Sequence, residues 1–538
     1  MLQDEIEQPL SLSMDPYTGT WTKATAAHLL KRTLFGPTNQ QILDAVGAGM
    51  NATVASLLQI PAIGVPLAYD PAETVVPMGT TWVNAVYPSN ATAAAATQNA
   101  RLKSLGAWMV ERVNTENDTI AEKICLFWHN HFGVSYTSDP RANYNYLMLL
   151  RQHALGDIKQ LIKDVTIDPA MLIFLNGGSN NLYSPNENYA RELLELFTIG
   201  KGPQIGPGDY TNYTEDDVAA GAKILTGYLV QGLLSDTETT TSSIFTSLLH
   251  DSSNKQLSAH FGNAVINNNG ADEYSDYIDI IFQQAAVANY LSTKLYRYFV
   301  NYDITSTVQT DVISVMAQTM IDNNYMVLPV LDQLFKSQHF YDVAMKGAII
   351  RGPLEMMMGM LNATSSAPNF DLATNSDMYL AMYWYSQTMG QELGLPPSVA
   401  GWPAYYQAPA FSKLWLNSTT IKTRFDISTY ITVFTGLPVN GENFKINLLG
   451  FLNALSVPSN ATVVIDDMVD VFFPKGATVG DKFVLKNILH GGLGDAEWQL
   501  QYNNYIADSG NTTLSDPIAL RVGLVLNTLF KMPQFQTI

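Results

Sequence analysis

The chain has 538 residues, 47% of them hydrophobic and only 14% charged, so a large buried core forms readily, in one large helical domain or roughly two or three ordinary ones. A formal charge of −19 argues against the clustered Lys and Arg that a nucleic acid or an anionic membrane requires, and is read first as a solubility device. The single cysteine, Cys125, excludes an intramolecular disulfide and a multi-cysteine metal site, and no stretch is long and apolar enough to cross a bilayer.

The first residues, Met1 to Glu7, lack the basic and apolar regions of a secretory leader, which leaves the compartment open. Residues 1–20 read as an N-terminal extension. Ala24 to Leu34 is periodic and ends at Gly36-Pro37, Thr38 opens a second helix with Gln41 at the capping-box position, and Asn51 starts a third. Residues 61–97, rich in Ala, Pro, Val and Thr, read as an extended surface segment, and helices return from Gln98 to Leu175. Thr119 to Phe132 is one of these, with Thr119 and Glu122 as its opening pair.

Projected at about 100° per residue, that helix puts Ile120, Ile124, Phe127 and Trp128 on an apolar face with His131 at its centre. His129 falls nearly opposite, and Asn130 shares a polar side with Glu122 and Lys123. The two histidines therefore cannot chelate one metal, and no metal or cofactor is assigned. His131 sits near a helix C-terminus, where the dipole favours an imidazolium; it is either a satisfied core histidine or an acid, base or ligand. Cys125 reads as a buried thiol.

The most distinctive segment is Ser184-Pro-Asn-Glu-Asn-Tyr-Ala-Arg-Glu-Leu-Leu-Glu-Leu-Phe-Thr-Ile-Gly200. Ser184 can cap a helix with Pro185 at its first position and Glu187 closing a capping box, and Gly200 supplies a left-handed stop. Between them Glu187, Asn188, Arg191, Glu192 and Glu195 stand at i, i+3 and i+4 spacings, as surface ion pairs or as a polar stripe able to bind substrate and move protons. Downstream, Thr214 and Asp217 form another cap, and residues 235–270 carry a weak hairpin signal. His250-Asp251 with Lys255 reads as a loop and turn. Helices resume from Glu273 to Leu361, and Pro396 to Pro403 is a rigid loop. The alternating runs Thr462–Ile465 and Lys482–Leu485 suggest short strands. The class is mainly α, a large multi-helix domain of helical hairpins over residues 21–430, with a C-terminal region, 431–538, packed on it. No serine-hydrolase elbow, phosphate-binding glycine loop, dinucleotide fingerprint or zinc-protease helix occurs.

Several segments taken in order resemble an uncharacterised bacterial family catalogued as domain of unknown function 1800: His28 to Pro37, Trp128-His-Asn-His-Phe132, Pro185 to Leu196, Tyr213 to Val218 with Leu225-Thr-Gly227, His250-Asp251 with Lys255, Arg351-Gly-Pro-Leu-Glu355, and Pro396 to Pro403. The family often has histidine where Phe197 stands and tryptophan at Tyr228. The resemblance implies a mostly helical fold, an exported or envelope role, and a sulfatase-like partner, but no reaction. The expectation is an acid–base or hydrolytic enzyme with a groove for a polar or carbohydrate substrate. In it His131 or Glu192 moves the proton, Arg191 holds an anionic or carbonyl group, and Asn130, Glu187, Asn188, Asp216, His250 and Trp402 contact substrate. The alternative is a non-catalytic helical scaffold or binding protein in which these residues only fix helix packing.

Overall fold

The computed structural model describes residues 10–538, so the leader reading at Met1–Glu7 and the first nine positions of the N-terminal extension lie outside the described residues. The fold is mainly α. Lys23–Thr33 (α1) starts on Thr22, and Asn39–Ala48 (α2) starts on Thr38 with the Gln41 capping box expected; Met50–Leu57 (α3) follows. Residues 58–90 hold no helix, yet they are not merely a surface strip. Trp82 and Tyr87 are buried, because Arg101 lies 4.5 Å over the Tyr87 ring and donates to the Ala85 and Val86 carbonyls. The next helix, Ala91–Thr115 (α4), begins earlier than composition suggests because Asn90 caps it.

Ala121–Phe132 (α5), Pro140–Gln152 (α6), Ile158–Thr166 (α7) and Pro169–Phe174 (α8) come next. α5 has no polar side facing water: Glu122, Lys123, His129, Asn130 and His131 are all buried. Glu122 does not close a cap with Thr119, for it is held between Arg112, 3.0 Å away, and Arg151. A projection cannot separate a solvated charge from one that has a buried partner.

Glu187–Glu192 (α9) runs on into a π-helical turn over Leu193–Thr198, and Glu215–Ile224 (α10) starts on the Thr214–Asp217 capping box expected. Three antiparallel hairpins lie around these helices. They pair Gln204–Gly206 (β1) with Asp209–Tyr210 (β2), Tyr228–Gln231 (β3) with Ser242–Phe245 (β4), and Lys255–Gln256 (β5) with Val265–Ile266 (β6). Helices then follow as Glu273–Ile281 (α11), Ala285–Phe299 (α12), Ser306–Val308 (α13), Ser314–Asp322 (α14) and Val327–Lys336 (α15). Pro353–Ala363 (α16), Leu372–Thr388 (α17), Pro403–Tyr406 (α18) and Ser418–Thr432 (α19) complete the middle of the chain. After a hairpin of Leu437–Val439 (β7) and Glu442–Phe444 (β8) come Leu448–Asn453 (α20), Ala461–Phe472 (α21), Val479–Leu489 (α22), Asp495–Ala507 (α23) and Thr512–Lys531 (α24).

The strands expected at Thr462–Ile465 and Lys482–Leu485 are helical, inside α21 and α22. Val464, Ile465, Met468, Val471 and Phe472 bury one face at helical spacing, which outweighs a four-residue alternation. One continuous hydrophobic core reaches from Met14 to Phe535, and Trp402, Ala404 and Trp415 form a satellite against Leu126 and Ile350. Two glycines let the 398–402 loop close on the end of α5. A Cβ on Gly133 (φ +59°) would lie 2.3 Å from the Val399 carbonyl oxygen, and one on Gly401 (φ +89°) would lie 2.3 Å from Asn130 Oδ1.

Candidate functional site

The Ser184–Gly200 segment folds as a helix, but starts later than its composition suggests. Asn186 is the cap, accepting from the Asn188 amide, while Ser184 closes the preceding turn through the Asn181 carbonyl and the Asn186 amide donates to Asn180 Oδ1. Glu187 is thereby released from any capping box. Gly200 does supply the left-handed stop, at φ +73°. Arg191 donates to Glu215 at 2.7 and 2.9 Å and to Glu187 at 3.0 Å. Those bonds to Arg191 hold the Glu215 carboxyl below the usual range. The acid that meets Arg191 is therefore Glu215, whereas Asp216, one position on, is exposed on α10 and points elsewhere. Glu187 and Asn188 are exposed as well. Glu192 is half-buried, and burial with the charge of Glu195 pushes its pKa up.

His131 lies on the other side of the π turn, inside the protein. Its Nε2 is 3.1 Å from the Phe197 carbonyl oxygen and its Nδ1 is 3.2 Å from Lys294 Nζ, which itself donates to the Leu196 carbonyl at 2.9 Å. A carbonyl only accepts and an ammonium only donates, so the ring is neutral with its proton on Nε2. Burial first, and the Lys294 charge second, push its pKa well below the ordinary value. The imidazolium expected from the helix dipole is not favoured: desolvation outweighs a terminal dipole worth about 0.3–1 kcal/mol. His131 braces α5, the π turn and α12, with neither ring nitrogen free.

Asn130 and Trp402 do meet: Asn130 Oδ1 accepts from the Trp402 backbone amide at 2.9 Å. This ties the 398–402 loop to α5 and gives Asn130 Oδ1 a structural partner. His250 is not a turn residue facing solvent. It is buried, 3.0 Å from Glu273, which also accepts from Lys255 at 2.6 Å, so this trio pins its loop to α11. Of the residues expected to form one groove, Arg191 and Glu187 pair on the surface, His131 is sealed inside, Asn130 and Trp402 join at the loop, and His250 stands apart. None of them lines either of the two cavities described below.

A cavity of about 40 Å³ lies elsewhere, between α5, α12, the start of α16 and the segment around residues 391–415. Lys123, Arg297, Tyr298, Glu355, Gln391 and Tyr405 line it. Lys123 Nζ meets Glu355, and burial with the charges of Arg351 and Arg32 pushes its pKa well below the ordinary value. Gln391 is 1% exposed; its Oε1 accepts from the Leu354 amide at 3.0 Å, which fixes the amide orientation, and its Nε2 has no partner. Gly352, at the head of α16, faces this group: a Cβ there would come within 3.3 Å of Gln391 Oε1 and 3.7 Å of the Tyr405 hydroxyl. A second, apolar cavity of about 30 Å³ adjoins across Phe35 and Leu126. His129, with neither ring nitrogen bonded and its pKa pushed down by burial to about 4, lines it with Cys125, whose thiol burial pushes up to about 12.

Segments remote in sequence thus gather here: Phe35 from the end of the first motif, α5, and the Arg351–Glu355 run, with the Trp402 loop beside them. The model of the family described as protein of unknown function (DUF1800) matches residues 28–537. The chain belongs to that family. Its match to DUF1800 extends past residue 430, through the helices that follow β8. No curated protein and no solved structure matches the chain. Among the described residues no helix is long and apolar enough to cross a membrane. Sequence reasoning missed Lys123, Arg297 and Gln391. Lys123 looked like a solvated charge, Gln391 carried no signal, and only Glu355, inside a quoted motif, stood out.

Proposed function

We propose that this chain is a non-catalytic helical binding protein whose ligand enters the cavity at the head of α16. What supports this reading is the meeting of two family-resembling segments at that cavity, through Phe35 and through Gly352 with Glu355, while His131, Arg191 and Glu192 do not line it. Small-molecule sites are concave, mostly apolar and carry a few convergent polar groups, as this one does. A binding role also suits the sulfatase-like partner that the family resemblance implies.

The test is a ligand-observed NMR screen of small neutral and charged fragments against the wild-type chain and Gly352→Val. Gly352 has extended backbone angles (φ −60°, ψ 162°) that valine accepts, so the variant fills the cavity without backbone strain. Fragments that bind wild type and lose tenfold or more in affinity to Gly352→Val are the expected result. A second reading, an acid–base enzyme, draws support from the raised pKa of half-buried Glu192. Hydrolysis of any glycoside or ester substrate that Glu192→Gln abolishes and Gly352→Val leaves intact would overturn the binding reading.

A further inference from the structure

The head of α16 joins three features that each ask for an electron-rich group. Gly352 caps the helix without a side-chain bond, so the positive end of an eleven-residue helix lies at the cavity; Pro353 has no N–H and the Leu354 amide is taken by Gln391 Oε1, so this end contributes its dipole rather than free donors. Gln391 lines the same space; its orientation is fixed by the Leu354 amide, and its Nε2 is buried against the Tyr405 hydroxyl with no hydrogen bond within 3.5 Å. A buried donor left unsatisfied costs about 1–3 kcal/mol, so an acceptor placed there recovers that energy.

The third feature is charge. Lys123 and Arg297 are the basic side chains lining the cavity, Lys123 already paired with its one acidic side chain, Glu355. Arg297 stacks 5.2 Å over Phe411, has an unbonded Nε, and forms no ion pair among the described residues. Behind Lys123, the buried guanidinium groups of Arg32 and Arg351 bond only backbone carbonyls and meet no carboxylate. Basic side chains thus outnumber acidic ones around this cavity, in a chain whose formal charge is −19. The remaining walls are aromatic and apolar: Tyr298, Tyr405, Trp415 and Leu126. A volume of about 40 Å³ holds a group of three or four heavy atoms, given roughly 10–15 Å³ of such space per water-sized group.

We propose that this cavity binds the carboxylate of an organic acid, with Gln391 Nε2 and Arg297 facing its oxygens, the dipole of α16 behind them, and the aromatic walls against the first carbon, while the rest of the acid stays outside. This rests on the binding reading above and names its ligand. The same carboxylate can belong to a free acid or to the end of a longer chain, and the test separates the two.

Calorimetric titration of the full chain with propionate, propionamide, and a tripeptide with a free or an amidated C-terminus reads the proposal. Propionate is expected to bind at least tenfold more tightly than propionamide. Gln391→Glu keeps the size of the side chain and an oxygen for the Leu354 amide but replaces the donor with a second acceptor. It is expected to weaken propionate tenfold or more with no change in the circular dichroism spectrum. Preference for the free-ended tripeptide over both propionate and its amidated form assigns the site to chain ends and supports the same chemistry. Equal binding of propionate and propionamide, or no propionate binding while neutral fragments still discriminate wild type from Gly352→Val, overturns the carboxylate assignment and leaves the binding reading intact. No ligand of any class at the Gly352-sensitive site overturns both.

Discussion

Two kinds of charged residue behave oppositely in this protein, and single substitutions tell them apart. Arg191 is 31% exposed and its partners Glu187 and Glu215 are more so, so the pairs sit in high dielectric and are screened. Arg191→Ala is expected to cost under about 1 kcal/mol in a denaturant titration. Glu122 is the contrary case, a buried carboxylate between Arg112 and Arg151. Glu122→Ala strands two buried guanidinium groups and is expected to cost about 3–5 kcal/mol, read as a fall in the same midpoint. Sequence spacing picked out Arg191 and passed over the buried Glu122 cluster, since charge spacing on a helix is visible in one dimension and the partner that buries a charge is not.

At the level of elements, the joint between α5 and the 398–402 loop carries a sharper expectation. Gly401→Ala would force a left-handed backbone on alanine and drive its Cβ to 2.3 Å from Asn130 Oδ1, so it is expected to lower stability by about 2 kcal/mol or more. Gly390 is the control, with φ +90° and nothing within 4 Å of its added Cβ, so Gly390→Ala carries strain alone and costs less in the same thermal melt. Caps were the most legible elements. Thr38 with Gln41 and Thr214 with Asp217 were readable because a cap is a local bond between residues three apart. Ser184 failed as a cap because Asn180 and Asn181 recruit that stretch into a turn of their own, and α21 and α22 failed as strands because the face they bury is decided by the rest of the fold. The cavity at Gly352 was legible only in part, through the Arg351–Glu355 run. Gln391 matters by where it points, which spacing does not encode.

Across the whole molecule, His28, His129, His131 and His339 all have pKa values pushed down, in each case first by burial. The folded state holds them neutral, so below pH about 6.5 the unfolded chain takes up protons first, and stability falls with pH until the folded state also protonates. His129 titrates near 4 when folded, so its share, up to about 1.4 kcal/mol per pH unit, is lost between pH 6.5 and 4. Asp168, pushed up by burial to about 7, acts with the opposite sign over the same range. Comparing wild type with His129→Leu isolates the histidine: the variant is expected to show a shallower drop in thermal midpoint from pH 6.5 to 4.

Burial takes a larger share of the Lys and Arg side chains than of the Asp and Glu, so the outer surface is more negative than the formal charge of −19 implies. A small anion bound for the cations beneath Gly352 must first cross a repelling shell, and with a Debye length of about 10 Å at 0.1 M that shell reaches well into solution. The encounter is thus gated by long-range repulsion and rewarded only at contact. Added salt will speed the arrival of such a ligand, the reverse of what electrostatic steering does for most charged partners.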